Sequence, residues 1–493
     1  MAIRARYLGL LTAMLAGMLA QAEEAAGPFQ ATGIKTGEVT STEAIVWTRL
    51  TRAPMPVPLN APMPVVRYKN PDTGKLEELP GERRTWTPVV EYPAGATTDT
   101  IAGASPGTDG EVRVVCQSEN AVETSATSWE KVDPAKDFTR QFRLSKLKPV
   151  TAYTFRVESR DETSHRAGQT VEGKFRTAPL PTESTSVSFA VSTGQEFAHK
   201  DRPDGFKIYP SMSSMNLDFF VHTGDIVYYD KLAKSMDLAR WHWERVYSLP
   251  TNVDFHRQTP SYFIKDDHDT WMNDCWPAMK STFMGEFTFK QGQAIYLEQV
   301  PMGKRTYRTF RWGKDLQIWL VEGRDFRSAN DMPDGPDKTI WGAKQKRWFK
   351  QSVSDSDATF RVLISPTPLV GPDRGSKNDN HANAGFTAEG DELRTFIASQ
   401  KNMVVVCGDR HWQYVSVDPK SGVREYSCGP ASDEHAGGWP AGQMLPEHRY
   451  LKVVGGFLVI SVGQNNGETE LLGRHYGVDG QLLNEDRVVA VKE

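Results

Sequence analysis

Three short apolar runs in this sequence end in acidic residues. Phe219-Phe220-Val221-His222 passes into Thr223-Gly224-Asp225, Tyr262-Phe263-Ile264 into Asp266-Asp267-His268-Asp269, and Val404-Val405-Val406-Cys407 into Gly408-Asp409-Arg410-His411. Two of the three endings place a histidine beside a carboxylate. One aspartate after a strand is an ordinary turn former or helix cap. Asp266-Asp267-His268-Asp269 is harder to place in a plain turn, because three like charges fall within four residues. Carboxylates brought together repel, and they are costly to bury unless a cation neutralises them. Oxygen donors with a few imidazole nitrogens suit hard and borderline cations rather than thiophilic ones. A metal cluster at converging strand ends accounts for all three motifs at once. Such a cluster can bind a phosphoryl oxygen, generate hydroxide from water and stabilise an in-line displacement.

The elements that must position these residues are legible in outline. In open α/β sheets, ligands sit at the carboxyl ends of strands. From 187 to 485 apolar strands alternate with helical patterns, which implies an α/β layered domain. Leu232, Met236, Ala239, Trp243 and Val246 fall on one helical face within 230–249, with Asp230 as the N-cap. A second helix is expected over 389–399, with Leu393, Phe396 and Ile397 on one side. Residues 27–180 read as all-β. Short runs such as Ala44–Thr48, Val112–Val115, Tyr153–Val157 and Lys174–Thr177 are rich in β-formers and fit a sandwich. A proline-rich stretch, Pro54–Pro93, reads as loops and edge hairpins, and Thr177–Glu183 as a linker.

The chain has 493 residues, enough for two or three domains, and a net charge of −4 that gives no electrostatic footprint for nucleic acid. Residues 1–22 have the form of a cleaved export signal: Arg4 and Arg6, an apolar run Leu8–Leu19, then Ala20-Gln21-Ala22. No later stretch is apolar enough to span a membrane. Four cysteines, Cys116, Cys275, Cys407 and Cys428, form no CxxC pair, and export would permit one or two disulfides. Arg324, at the end of Ile318–Val321 and next to Asp325, could hold a phosphate bidentately or form a structural ion pair. Asn380 and His381 lie in a polar loop able to supply oxygen ligands or substrate contacts. Trp271, Trp276, Trp412 and Trp439 flank the motifs and could stack on a substrate or simply fill core.

The second part resembles the PhoD-like alkaline phosphatases within the calcineurin-like metallophosphoesterases. The marks are His222-Thr223-Gly224-Asp225-Ile226-Val227-Tyr228, Asp266-Asp267-His268-Asp269 followed by Asn273-Asp274, and Gly408-Asp409-Arg410-His411. Gly33–Leu50, with Val46-Trp47-Thr48-Arg49-Leu50, is similar to the N-terminal β-sandwich of that family. The resemblance implies a sandwich of the immunoglobulin or fibronectin kind, then an α+β catalytic domain of two packed sheets flanked by helices. It implies Asp225 as a metal bridge, Tyr228 as a ferric ligand, and Asp267 and Asp409 as further ligands. His268 would protonate the leaving group, and His411 would be a ligand or phosphate contact beside a catalytic Arg324. Gln195, Asp266, Asn273, Asn380 and His381 are additional ligand or substrate-contact candidates. The substrate would be a small phosphate mono- or diester, and the cofactors calcium and iron.

Two departures qualify that reading. Val191-Ser192-Thr193-Gly194-Gln195 has Gly194 where the family has a cysteine ligand to iron, and Arg4-Ala5-Arg6 is not the twin-arginine pair many members carry. Together they predict an altered metal centre loaded after export. Two alternatives remain at this stage: a sulfate-ester or phospholipid hydrolase on the same fold, and a surface binding protein with a decayed metal site.

Overall fold

The computed structural model describes residues 27–78, 81–119, 124–440 and 442–491. The expected export signal, residues 1–22, lies outside the described residues.

Two mixed sheets form the body. The first has nine strands in the spatial order Leu482–Val489, Glu468–Tyr476, Phe457–Asn465, Val187–Ser192, Phe219–His222, Ser261–Phe263, Ile34–Gly37, Ala44–Arg49, Thr139–Leu144. The second has seven: Arg308–Trp312, Leu316–Leu320, Phe360–Ser365, Met403–Cys407, Arg424–Cys428, Gln413–Val417, His448–Lys452. Side chains alternate across a strand. Val187, Phe189 and Val191 therefore share one face, which meets Ile318, Leu320, Val362, Ile364, Val404 and Val406 from the other sheet in one apolar cluster. The opposite faces are covered by helices. Ala190 and Phe220 pack under Ile208–Ser213 and Pro250–His256. Trp319, Leu363 and Val405 pack under Gly342–Ser354 and Thr387–Ala398. Central strands buried on both faces read as the continuous apolar runs seen in the sequence.

The N-terminal sandwich shares a sheet with the catalytic layers. Ser261–Phe263 pairs in parallel with Ile34–Gly37 at Gly37 and Ser261. The strands Ile34–Gly37, Ala44–Arg49 and Thr139–Leu144 thereby extend the first sheet. Glu111–Ser118, Ala152–Arg160 and Ala167–Arg176 form a separate sheet. Val46, Val114, Phe142 and Val157 close the sandwich within the same apolar cluster as the catalytic core. Polar contacts fasten the junction: Trp47 Nε1 donates to the Glu298 carbonyl at 2.7 Å, and the buried Arg49 pairs with Asp137 and Glu244. The Pro54–Pro93 stretch carries a three-stranded sheet of Leu76–Glu77, Val65–Lys69 and Thr87–Glu91.

Two expectations need correcting. The helix expected from Asp230 spans Met236–Tyr247, and Ser235 caps it by accepting a bond from the Leu238 amide at 3.3 Å. Asp230 lies in a single 3-10 turn, Tyr229–Lys231, and its carboxylate is committed to His268. The four cysteines are buried free thiols. Cys407 and Cys428 come from neighbouring strands, but Sγ of Cys407 meets the Tyr414 hydroxyl and that of Cys428 the Cys407 carbonyl. The other helix, Thr387–Ala398, buries Leu393 and Ile397 as anticipated.

A fragment starting at residue 185 would lose Ile34–Gly37, one of the two partner strands of Ser261–Phe263, and the sandwich residues of the shared apolar cluster. It is expected to aggregate when expressed alone, whereas the full chain elutes as a folded species. A monodisperse, cooperatively melting fragment on gel filtration and circular dichroism would contradict the shared-sheet account.

Candidate metal centre

Register brings the motifs to one rim. Ser192, His222 and Phe263 stand side by side in the first sheet, and Ser365, Cys407 and Ser427 in the second. The loops that follow emerge together. The Thr193 hydroxyl donates to the Gly224 carbonyl and accepts from the Asp409 amide, each at 3.3 Å, which ties the rims of the two sheets. Glycine is required at two contacts. Gly224 has φ +110°, and a Cβ there would lie 2.7 Å from the Asp266 amide nitrogen. A Cβ on Gly408 would lie 2.5 Å from the Thr223 hydroxyl oxygen. The aspartates that follow, Asp225 and Asp409, have φ of 56° and 60°, a left-handed conformation uncommon outside glycine. Such local strain is typical of positions where the surroundings dictate where a side chain points.

The Asp266–Asp269 motif divides its work. Asp269 is a clamp: its carboxylate accepts from the Asp266 amide at 2.6 Å and from the Ile226 amide at 3.1 Å, joining two loops. Asp266 is buried behind the site and accepts from Arg324 Nε at 2.5 Å. Asp267 and His268 face a cavity of about 300 Å³, whose walls also include Asp225, Asn273, Arg374, Lys377, Asp409, His411 and Trp412.

Burial and like charge dominate the electrostatics. Asp225 is 1% exposed; one of its oxygens accepts from the Tyr228 hydroxyl at 3.2 Å and the other has no hydrogen-bond partner. Burial, reinforced by Asp267, pushes its carboxyl up to about 7. Asp267 accepts from the Asp274 amide at 2.6 Å through one oxygen, and its other oxygen has no hydrogen bond. Burial would raise Asp267 too, but Arg324 and then His268 outweigh it and hold the group well below the usual carboxylate range. Donor atoms of Asp225, Asp267 and His268 lie within 4.8 Å of one another. Two buried carboxylate oxygens without donors, on the walls of one cavity, fit a cation held by oxygen ligands.

The two histidines are tuned in opposite directions. His268 Nδ1 lies 2.6 Å from Asp230, and its ring packs on Tyr228 with centroids 4.5 Å apart. Burial favours the neutral ring, but Asp230, Asp267 and Asp225 outweigh it and hold the imidazole protonated well above the ordinary histidine range. His411, 3.9 Å from Asp225, is pushed down to about 3 by burial and by Arg410, leaving a neutral ring able to accept or ligate. The Asp409 carboxylate contacts the Arg410 guanidinium.

Several expected residues stand elsewhere. Arg324 is fully buried beneath Asp266 and Asp267, with Nη2 at 3.8 Å from Asp267 and 3.9 Å from Asp379, so it holds carboxylates and does not line the cavity. Gln195 is buried and accepts from Tyr209 at 2.5 Å. Asn380 bonds Asp373 and the Ala382 amide, and His381 bonds Glu389 at 2.9 Å. Asn380 anchors its loop from behind with both side-chain polar atoms, and His381 does so through Nε2. Trp271 donates to the Phe287 carbonyl in the core, while Trp412, backed by Trp439, reaches the cavity. Sequence reasoning missed Asp230, Arg374, Lys377 and His435. The first three carry no spacing signal. His435 follows the strand Arg424–Cys428 by a loop, and the one local signal for it is the run Asp433-Glu434-His435.

Two packed mixed sheets with carboxylates and histidines gathered on one rim define a metallophosphoesterase. The profile of PhoD-like phosphatases matches residues 189–439, and that of their N-terminal domain residues 16–179. The chain belongs to the PhoD-like phosphatase family and is a metal-dependent phosphoric ester hydrolase. Similar solved structures include one described as the structure of PhoD, with 17% identity, 94% of this chain and 89% of that one covered, and a TM-score of 0.66. Another is the purple acid phosphatase PPD1 from yellow lupin (Lupinus luteus) seeds, with 12% identity, 92% and 74% covered, and a TM-score of 0.56. At these identities the likeness is one of fold. No curated protein matches the sequence.

Asp230 is the strongest of the carboxylates that keep His268 protonated. Asp230→Asn therefore lowers the His268 pKa. If protonated His268 is needed for turnover, the high-pH limb of the kcat profile moves to lower pH in this variant. An unmoved limb, with the His268 ring titrating as in wild type by NMR, would sink the assignment.

Proposed function

We propose that this chain is an exported hydrolase of small phosphate mono- or diesters, with its chemistry at Asp225, Asp267, His268, Asp409 and His411. The observation that carries this reading is the pair of undonated oxygens on Asp225 and Asp267 in one cavity with His268, whose Nδ1 lies 2.6 Å from Asp230. Asp225, Asp267 and Asp409 are the oxygen ligands, calcium being the hard cation such donors suit. A metal cluster held by these residues would supply charge neutralisation at the phosphoryl oxygens and a lowered pKa for water. The protein's own part is positional. His268, oriented by Asp230, holds a proton for the leaving oxygen. Arg374 and Lys377 stand on the cavity wall where a phosphate's remaining negative charge can meet them. Trp412 offers a flat wall for the ester's organic group.

A panel of phosphate monoester, diester and sulfate ester separates this reading from a sulfatase. Asp225→Asn is expected to lower phosphoesterase turnover by at least roughly 10²–10³-fold, the scale of losing a principal transition-state stabiliser, with an unchanged circular dichroism spectrum. Wild-type rates in that folded variant would remove the reading. Arg374→Ala is expected to raise KM more than it lowers kcat, and an unchanged KM would take Arg374 out of substrate binding. Export is tested by N-terminal sequencing of mature protein, with Glu23 as the expected first residue.

A further inference from the structure

His435 reaches the centre from outside the three motifs. It ends a one-turn 3-10 segment, Asp433–His435, and its side chain is 8% exposed. Its Nδ1 lies 3.1 Å from the Gly194 carbonyl oxygen. A carbonyl only accepts, so Nδ1 carries the hydrogen, and a neutral ring keeps its lone pair on Nε2. That Nε2 lies 3.2 Å from the Tyr228 hydroxyl, which also lies 3.2 Å from an Asp225 oxygen. When Asp225 is charged, the phenol has one proton and faces two acceptors, the carboxylate and an imidazole lone pair. It can satisfy one of them, and the other is left in an acceptor-to-acceptor contact inside the protein. A cation in place of that proton satisfies all three donor atoms. Two donors bound to one ion at about 2.0–2.1 Å stand roughly 3–3.4 Å apart, which matches both separations. The backbone carbonyl that fixes the Nδ1 hydrogen is the usual orienting partner of a ligating histidine. Position 194 leaves room for the ring: a Cβ there would already lie 3.3 Å from His411 Nε2 and 3.4 Å from His435.

We propose that His435 Nε2, the Tyr228 phenol oxygen and Asp225 form a thiolate-free site for a borderline first-row ion, zinc or iron, with His435 supplying the donor that Gly194 cannot. The inference rests on the phosphoesterase reading, in which Asp225 already serves the neighbouring Asp267 side. The undonated second oxygen of Asp225 remains available for that side. Phenolate, carboxylate and imidazole suit such an ion better than they suit calcium. A rival cluster lies next to it: Glu196, His199 and His435 also hold donor atoms within 4.8 Å. Glu196 is already compensated there by Lys231 on one oxygen, and His199 Nδ1 lies 2.9 Å from the other. It therefore has less need of an ion than the Asp225–Tyr228–His435 trio.

The test is metal analysis of the full-length protein, stripped, reloaded separately with Zn²⁺ and Fe²⁺, and dialysed, with folding checked by circular dichroism. Wild type is expected to keep one of these ions per chain at this site. His435→Ala and His435→Phe, the latter preserving a buried ring without a donor atom, are expected to retain at least tenfold less of it. His199→Ala is expected to retain it fully. A folded His435→Phe that keeps the wild-type content overturns the proposal. Loss in His199→Ala equal to that in His435→Ala also overturns it, moving the ion to the Glu196 cluster. A wild type that hydrolyses phosphate esters with calcium alone and holds neither zinc nor iron refutes this inference while leaving the phosphoesterase reading intact. A wild type inactive with every ion removes both.

Discussion

Buried negative charge without donors of its own is the constraint on which the rest of this structure depends. Asp225 and Asp267 are taken out of water close together, and each keeps one oxygen with no hydrogen bond. An isolated carboxylate in that position would neutralise by taking up a proton, and Asp225 shows the tendency in its pKa of about 7. Asp267 resists it because Arg324 lies beneath it. The site is therefore poised between protonation and cation binding, and a cation is the partner that lets both carboxylates remain charged.

The scaffold keeps these groups from relaxing apart. Asp269 ties the Asp266 loop to the Ile226 loop, and Thr193 ties the Gly224 turn to Asp409 across the two sheets. Gly224 and Gly408 allow approaches that any Cβ would block. Arg324 is a charged residue wholly inside the protein. Its value lies in the carboxylates it holds, since removing one member of a buried pair leaves the other uncompensated. These contacts fix ligand positions before any ion arrives, the preorganisation that a catalytic centre requires.

The N-terminal sandwich contributes to the same rigidity. Its strands Ile34–Gly37 and Ala44–Arg49 continue the sheet that carries the Phe219 and Ser261 strands, and Val46 packs in the same core as Val191 and Ile364. Three of the motif-bearing or motif-adjacent strands are thus central in their sheet. A central strand is hydrogen-bonded on both sides, so its end, where the ligand stands, is held in place.

Most of the catalytic rim was legible in the chain, because the local pattern there has a physical cause within a few residues. An apolar run buried on both faces that passes into aspartate, twice through glycine, is a strand entering a tight turn with a carboxylate at its end, and that reading located Asp225, Asp267, His268, Asp409 and His411. The division of labour was not legible. Asp266, Asp267 and Asp269 are chemically identical in sequence, and only the packed loops decide that one meets Arg324, one the cavity and one two backbone amides. Arg324, Asn380 and His381 have the chemistry of site residues but spend it behind the site, since their neighbours in space come from distant segments. Asp230, Arg374, Lys377 and His435 reach the centre for the same reason. Residue type and spacing determined that this protein gathers acid and imidazole at strand ends; which of those groups face the substrate, and which support them from behind, was decided by tertiary packing, because partners far apart in the chain become neighbours only when the two sheets close on each other.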